Sequence, residues 1–144
     1  MAFSIRKIDY FRATVKDEPG EGSALLSALA SEGVNLIAFN AVPLGAMKTE
    51  LTLFPDSSAA LTRAAAAIRI HLDGPQRAIL VQGDDKLGAF AEVHRIIAQA
   101  GLNVIASSGL ADSRHTFGYI IHLRQAEIDT AAQVLAGAFT GSGV

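Results

Sequence analysis

The residues able to do chemistry in this chain fall into a repeated set and a scattered set. Asp17, Gly20, Gly33 and Asn35 recur as Asp85, Gly88, Gly101 and Asn103, at a constant offset of 68 residues. The match is gapless from Asp17 to Ala38, and seven of those 22 positions are identical. Core packing does not require an acid and glycines to be kept in loops, so each half is expected to use one loop in one way. A repeat of this period means two copies of one supersecondary unit.

The scattered set is less promising. None of His71, His94, His115 and His122 pairs at the i, i+4 spacing of a helical metal site. His94 is expected on a solvated helix face. Asp112 and His115 flank one turn, where an exposed turn is a simpler explanation than a metal site. Ser107-Ser108 lacks a glycine elbow and a neighbouring base. Asp84-Asp85 are adjacent in a loop, where side chains usually diverge, and Gly83–Gly88 lacks the Gly-Lys-Ser/Thr ending of a phosphate loop. No catalytic residue, metal ligand or cofactor is expected from these residues, although folds of this kind also host catalysis without a readable motif.

The elements that must position the repeated set follow from periodicity. Tyr10–Val15 is expected as a strand and Lys16–Gly22 as a loop. A helix then places Leu25, Leu26, Leu29 and Val34 on one face. Gly33 sits where a left-handed C-cap is wanted. Val34–Val42 and Met47–Phe54 are expected as strands around a Pro43–Gly45 turn. An alanine-rich helix from Pro55-Asp56-Ser57 to about Arg69 follows, then a short strand. The second half is expected to give a strand at Arg77–Gln82 and a helix at Ala89–Ala100 burying Phe90, Val93, Ile96 and Ile97. Strands at Leu102–Leu110 and Thr116–Leu123 and a helix at Glu127–Phe139 complete it, with a frayed Thr140–Val144. Each half is thus strand–helix–strand–strand–helix with a short or absent last strand. The expected class is α+β, two ferredoxin-like βαββαβ units in tandem at 1–74 and 75–144, with antiparallel sheets and helices on one face.

Composition bounds the partners. The 144 residues are half hydrophobic, poor in aromatics and without cysteine or tryptophan, and mean hydropathy is positive. The net charge is −2, with basic residues dispersed, which argues against nucleic acid, whose phosphates call for clustered Lys and Arg. No apolar run is long enough to span a bilayer and no signal-peptide pattern opens the chain. A cytoplasmic setting without membrane partners is therefore expected. Units this small leave uncovered edges and apolar flanks, so a homodimer is expected.

The string Asp-x-Pro-Gly, a helix of about three turns, then Gly-[Val/Ile/Leu]-Asn-[Ile/Leu/Val] resembles the signature of ACT domains, the small regulatory modules of amino-acid metabolism. The first half carries Asp17-Glu18-Pro19-Gly20 and Gly33-Val34-Asn35-Leu36. The second carries Asp85, Gly88 and Gly101-Leu102-Asn103-Val104, with Leu87 in place of proline. The resemblance covers nearly the whole chain and is greatest to stand-alone double-ACT regulators, the group that includes glycine-cleavage-repressor-like proteins. It implies a regulatory protein that binds an amino acid or similar small metabolite, often at an interface between paired units. It implies ligand contacts from Asp17, Pro19, Gly20 and Asn35, and from Asp85, Leu87, Gly88 and Asn103. An acid suits the ligand's ammonium, the helix start suits its carboxylate, and Asn can donate and accept. Beside this stand bland alternatives: Asp17 and Asp85 as helix or turn caps, Asn35 and Asn103 as partners of a helix end. Two other functions stay open, a regulatory or scaffold subunit that associates with a metabolic enzyme without binding a ligand, and an unrecognised ferredoxin-like enzyme.

Overall fold

The computed structural model describes residues 3–84 and 86–141. Ten principal elements run in order: β1 (Ser4–Lys16), α1 (Glu21–Ser31), β2 (Leu36–Pro43), β3 (Lys48–Pro55), α2 (Ser58–Ile68), β4 (Asp73–Asp84), α3 (Ala89–Gln99), β5 (Ala106–Ala111), β6 (Thr116–His122) and α4 (Ile128–Gly141). A single 3-10 turn, Gln125–Glu127, leads into α4. The chain forms two compact units, one of Asp9–Gln76 and the other of Arg77 onward together with the residues through Ile8. The two long strands β1 and β4 therefore each contribute to both units.

In the unit Asp9–Gln76 the strand order is β2-β3-β1-β4, with Asp73–Gln76 as the portion of β4. β1 pairs antiparallel with β3 so that Phe11 faces Leu53 and Ala13 faces Leu51. Those four residues are buried with Leu25, Leu29, Val34, Leu61 and Ala64 in one core. The expected α1 face is present, and burying a leucine such as Leu29 contributes about 1.5–3 kcal/mol. Ser57 caps α2 by accepting from the Ala60 N–H at 3.2 Å.

The other unit repeats this pairing. β4 pairs with β6 so that Ile79 faces Ile121 and Val81 faces Tyr119, and β5 lies outside β6. Each of these pairs is the first-half pair displaced by 68. The core here is Ile79, Val81, Val93, Ile97, Phe117, Ile121, Ile128, Ala131 and Leu135. Both units are ferredoxin-like, α+β, with antiparallel strands.

Several boundaries differ from expectation, each for a physical reason. β1 begins at Ser4, six residues earlier than its local pattern suggests. The portion through Ile8 belongs to the unit of the second half, where Phe3 stacks on Phe139 and meets Phe117 edge-on. Thus the second unit does have its last strand, supplied from the start of the chain. Residues 70–72 form no strand; α2 ends at Ile68 with Arg69 in the left-handed region, and β4 starts at Asp73. Gly74 and Pro75, read as a break, lie at the strand start, where proline is tolerated. Gly74 is required there, because a Cβ would stand 2.9 Å from the Tyr10 carbonyl oxygen. Residues 102–105 are irregular, and β5 begins at Ala106. α4 continues through Gly141, while the rest of the expected frayed tail lies outside the described residues. Among the described residues no helix is long and apolar enough to cross a membrane.

Candidate functional site

The loop after β1 and the loop after β4 have one geometry. Gly20 and Gly88 are the N-caps of α1 and α3, with φ of 89° and 82°. The Gly20 carbonyl accepts from the Ala24 N–H and the Gly88 carbonyl from the Glu92 N–H, both at 2.9 Å. The helices close alike too: Val34 N–H donates to the Leu29 carbonyl and Leu102 N–H to the Ile97 carbonyl, across left-handed Gly33 and Gly101. This common frame follows from the repeated glycines, which alone reach positive φ at low cost.

Among the described residues neither helix start has a side-chain cap. Asp17 therefore does not cap α1. It lies in the exposed loop that its own N–H ties to the Met47 carbonyl at 2.9 Å. Pro19 is exposed beside it. Two first-turn N–H groups of an uncapped helix are a ready donor pair for an anion.

In the second half Leu87 and Gly88 line a shallow hollow of about 440 Å³ with Lys86, Ala89, Phe90 and Ala91. Leu87 is fully exposed, at 105%. The expected Asp85 lies outside the described residues.

The asparagines have diverged. The Asn35 side-chain N–H donates to Asp56 Oδ2 at 3.3 Å, and the Asp56 N–H returns to the Asn35 carbonyl at 3.0 Å. Asn35 thus ties the end of α1 to the start of α2. At the offset of 68 the residue opposite Asn103 is Arg124, which cannot accept such a bond. Asn103 instead lines a hollow of about 300 Å³ with His94, Ala98 and Ser107. Asp17, Pro19 and Gly20 lie at the start of α1, whereas Asn35 lies beyond the other end of this 11-residue helix and is not brought to them. In the second half Asn103 likewise opens on a different hollow from Leu87 and Gly88.

Sequence reasoning missed one polar contact. His94 is half-buried rather than solvated: its Nε2 hydrogen-bonds the Tyr119 hydroxyl. Phe90 covers Gly109 and lies 4.8 Å from the Tyr119 ring, leaving it 36% exposed and not fully buried as expected. The signal was the i, i+4 spacing of Phe90 and His94, but nothing local names Tyr119. At the turn after β5, Asp112 accepts from the N–H groups of Arg114 and Thr116 and from the Thr116 hydroxyl. The bonds from Thr116, then that from the Arg114 N–H, hold its carboxyl below the usual range. His115 sits in the same turn at φ 61°.

No family model and no curated protein matches the chain. Solved structures do. A protein from Bacteroides thetaiotaomicron superposes with a TM-score of 0.80 at 14% identity, over 93% of this chain and 90% of that one. The regulatory subunit of aspartate kinase from Thermus thermophilus gives 0.61 at 16% identity, over 95% and 96%. The corresponding subunit from Thermus flavus gives 0.56 at 17%, over 96% and 97%. At these identities the likeness establishes the fold, ACT-type ferredoxin-like units in tandem.

Proposed function

We propose that this chain is a regulatory protein that binds an amino acid or similar small metabolite at its ACT-type units and passes that occupancy to a partner enzyme. The observation that carries this is the matched pair of uncapped helix starts at Gly20 and Gly88, with Asp17 beside the first. A zwitterion needs an acid and N–H donors together, and the first loop offers both on one rigid frame. The regulatory subunits of aspartate kinase that share the fold support a regulatory role without catalysis. No residue is assigned a catalytic part.

The protein is further proposed to act as a homodimer, in the cytoplasm. β2 lies at one end of its unit's strand order with Ile37, Phe39 and Val42 exposed. β5 is exposed along its whole length, with Leu110 at 77%. Unpaired apolar edges of this kind favour pairing with a second copy.

Thermal-shift and calorimetric screening against the twenty amino acids tests the binding step. One amino acid raising the melting temperature at millimolar concentration is the expected result. If none binds, the exposed edges favour the scaffold role, association with a metabolic enzyme without a ligand.

A further inference from the structure

The two units differ at one equivalent place on the helix-covered side of the sheet. In the second-half unit that place is filled. α4 runs for 14 residues and brings Phe139 onto Phe3, with ring centroids 4.1 Å apart. Phe3 presses so closely on Gly83 that a Cβ there would meet its ring at 2.5 Å. In the first-half unit the residue at the position of Gly83 is Val15, and α2 stops after 11 residues at Ile68. Arg69 turns the chain away at φ 60°. Among the described residues, those that line the cleft of about 420 Å³ at Val15 include no aromatic side chain.

The lining of this cleft is selective. Its floor is aliphatic: Val15, Leu25, Ala28, Ile68 and Ile70. Its rim carries Glu21 from the first turn of α1, and His71 and Asp73 from the segment after α2. His71 Nε2 is 3.0 Å from Asp73 Oδ1, both side chains being largely exposed. The lining holds two carboxylates and neither lysine nor arginine. Such a cleft complements a cationic head on a short aliphatic body; it offers no lysine or arginine to a carboxylate, and its His71 already faces Asp73.

We infer that this cleft binds a small aliphatic amine, its ammonium between Glu21 and Asp73 and its chain on the Val15–Ile68 floor, and that it discriminates against the amino acid carrying the same chain. The volume suits a ligand of a few carbons, at the lower end of small-molecule pockets. The cleft borders the Gly20 loop, since Glu21 directly follows that cap, but Asp17, Pro19 and Gly20 are not in its lining, so butylamine binding is expected even if no amino acid binds the protein.

Calorimetric titration with n-butylamine, and with norvaline as its carboxylated counterpart, tests the inference. Butylamine is expected to bind at millimolar concentration and norvaline at least several-fold more weakly. Because Asp73 is 75% exposed, Asp73→Asn and Glu21→Gln are each expected to weaken butylamine only roughly twofold to fivefold, the range of exposed charge pairs. Ala24→Phe, at an exposed lining position of α1, puts an aromatic ring into the cleft. It is expected to abolish binding while thermal melting shows the fold intact. Equal affinity for the two probes, no heat with butylamine, or no response to either carboxylate variant would overturn the assignment.

Discussion

Asn35 and Asp56 hold each other twice, side chain to side chain at 3.3 Å and N–H to carbonyl at 3.0 Å. The pair joins Asn35, three residues beyond the Glu32 cap of α1, to Asp56, the residue before the Ser57 cap of α2. Asn35→Ala is expected to lower unfolding free energy by about 0.5–1.5 kcal/mol. Asn103→Ala, whose opposite number is Arg124, is expected to change it by less than about 0.5 kcal/mol. Urea melts of both variants check the contrast.

Asp17 makes a cleaner test than its type suggests, because α1 has no side-chain cap for it to supply. Asp17→Ala should leave the urea midpoint nearly unchanged. If Asp17 meets the ligand ammonium, affinity should fall by ~1.5–3 kcal/mol, roughly ten- to over a hundred-fold. Titration of the amino acid found by screening, alongside the melt, separates the two effects. A lowered midpoint with unchanged affinity would remove Asp17 from the site.

Gly20→Ala and Gly88→Ala should cost alike. An added Cβ meets nothing within 4 Å at either position, so the penalty is that of the left-handed backbone, about 1–2 kcal/mol. Unequal losses of stability would mean that the two loops are not mechanically equivalent.

Acid should find Asp112. Its folded pKa is depressed, chiefly by bonds from Thr116. Stability from such a group is present above the unfolded value near ~3.9 and is lost as pH falls through the lower folded value. Asp112→Asn should therefore flatten the acid limb of a stability-versus-pH curve below about pH 4 and leave its shape near neutrality unchanged. An unaltered acid limb would show that the turn carries none of that dependence.

Phe39→Lys on the exposed edge strand β2 should shift the protein toward a monomer in light scattering while circular dichroism stays native. A charge on an edge strand opposes pairing. If the mass is unchanged, self-association uses another surface.

Much of this fold was legible because it is written twice. Phe11 and Leu53 face each other just as Ile79 and Ile121 do, and the constant offset states that correspondence without any structure. Gly33 and Gly101 mark helix ends by a conformation that other residues adopt only at a cost. What escaped was either non-local or atypical. Residues 70–72 alternate as a strand would but form none, since β4 starts only at Asp73. Tyr119 lies 25 residues from His94, beyond any periodic signal. The candidate loops were found from residue types, but the split fates of Asn35 and Asn103 depend on Asp56 and Arg124, which belong to no motif.

The passage of β1 through both units bears on how the protein can be made. Phe3 takes its partners from Phe117 and Phe139, so a ribosome releases the first part of this core long before the part that covers it. The unit Asp9–Gln76 has all of its residues in one continuous stretch, whereas the other joins residues through Ile8 to those from Arg77 onward. Pairing across that separation carries a loop-closure cost and slows folding. Vectorial synthesis thus imposes an order on two copies that the repeat makes look interchangeable: the first can close once Gln76 has emerged, and the second only after Phe139 has.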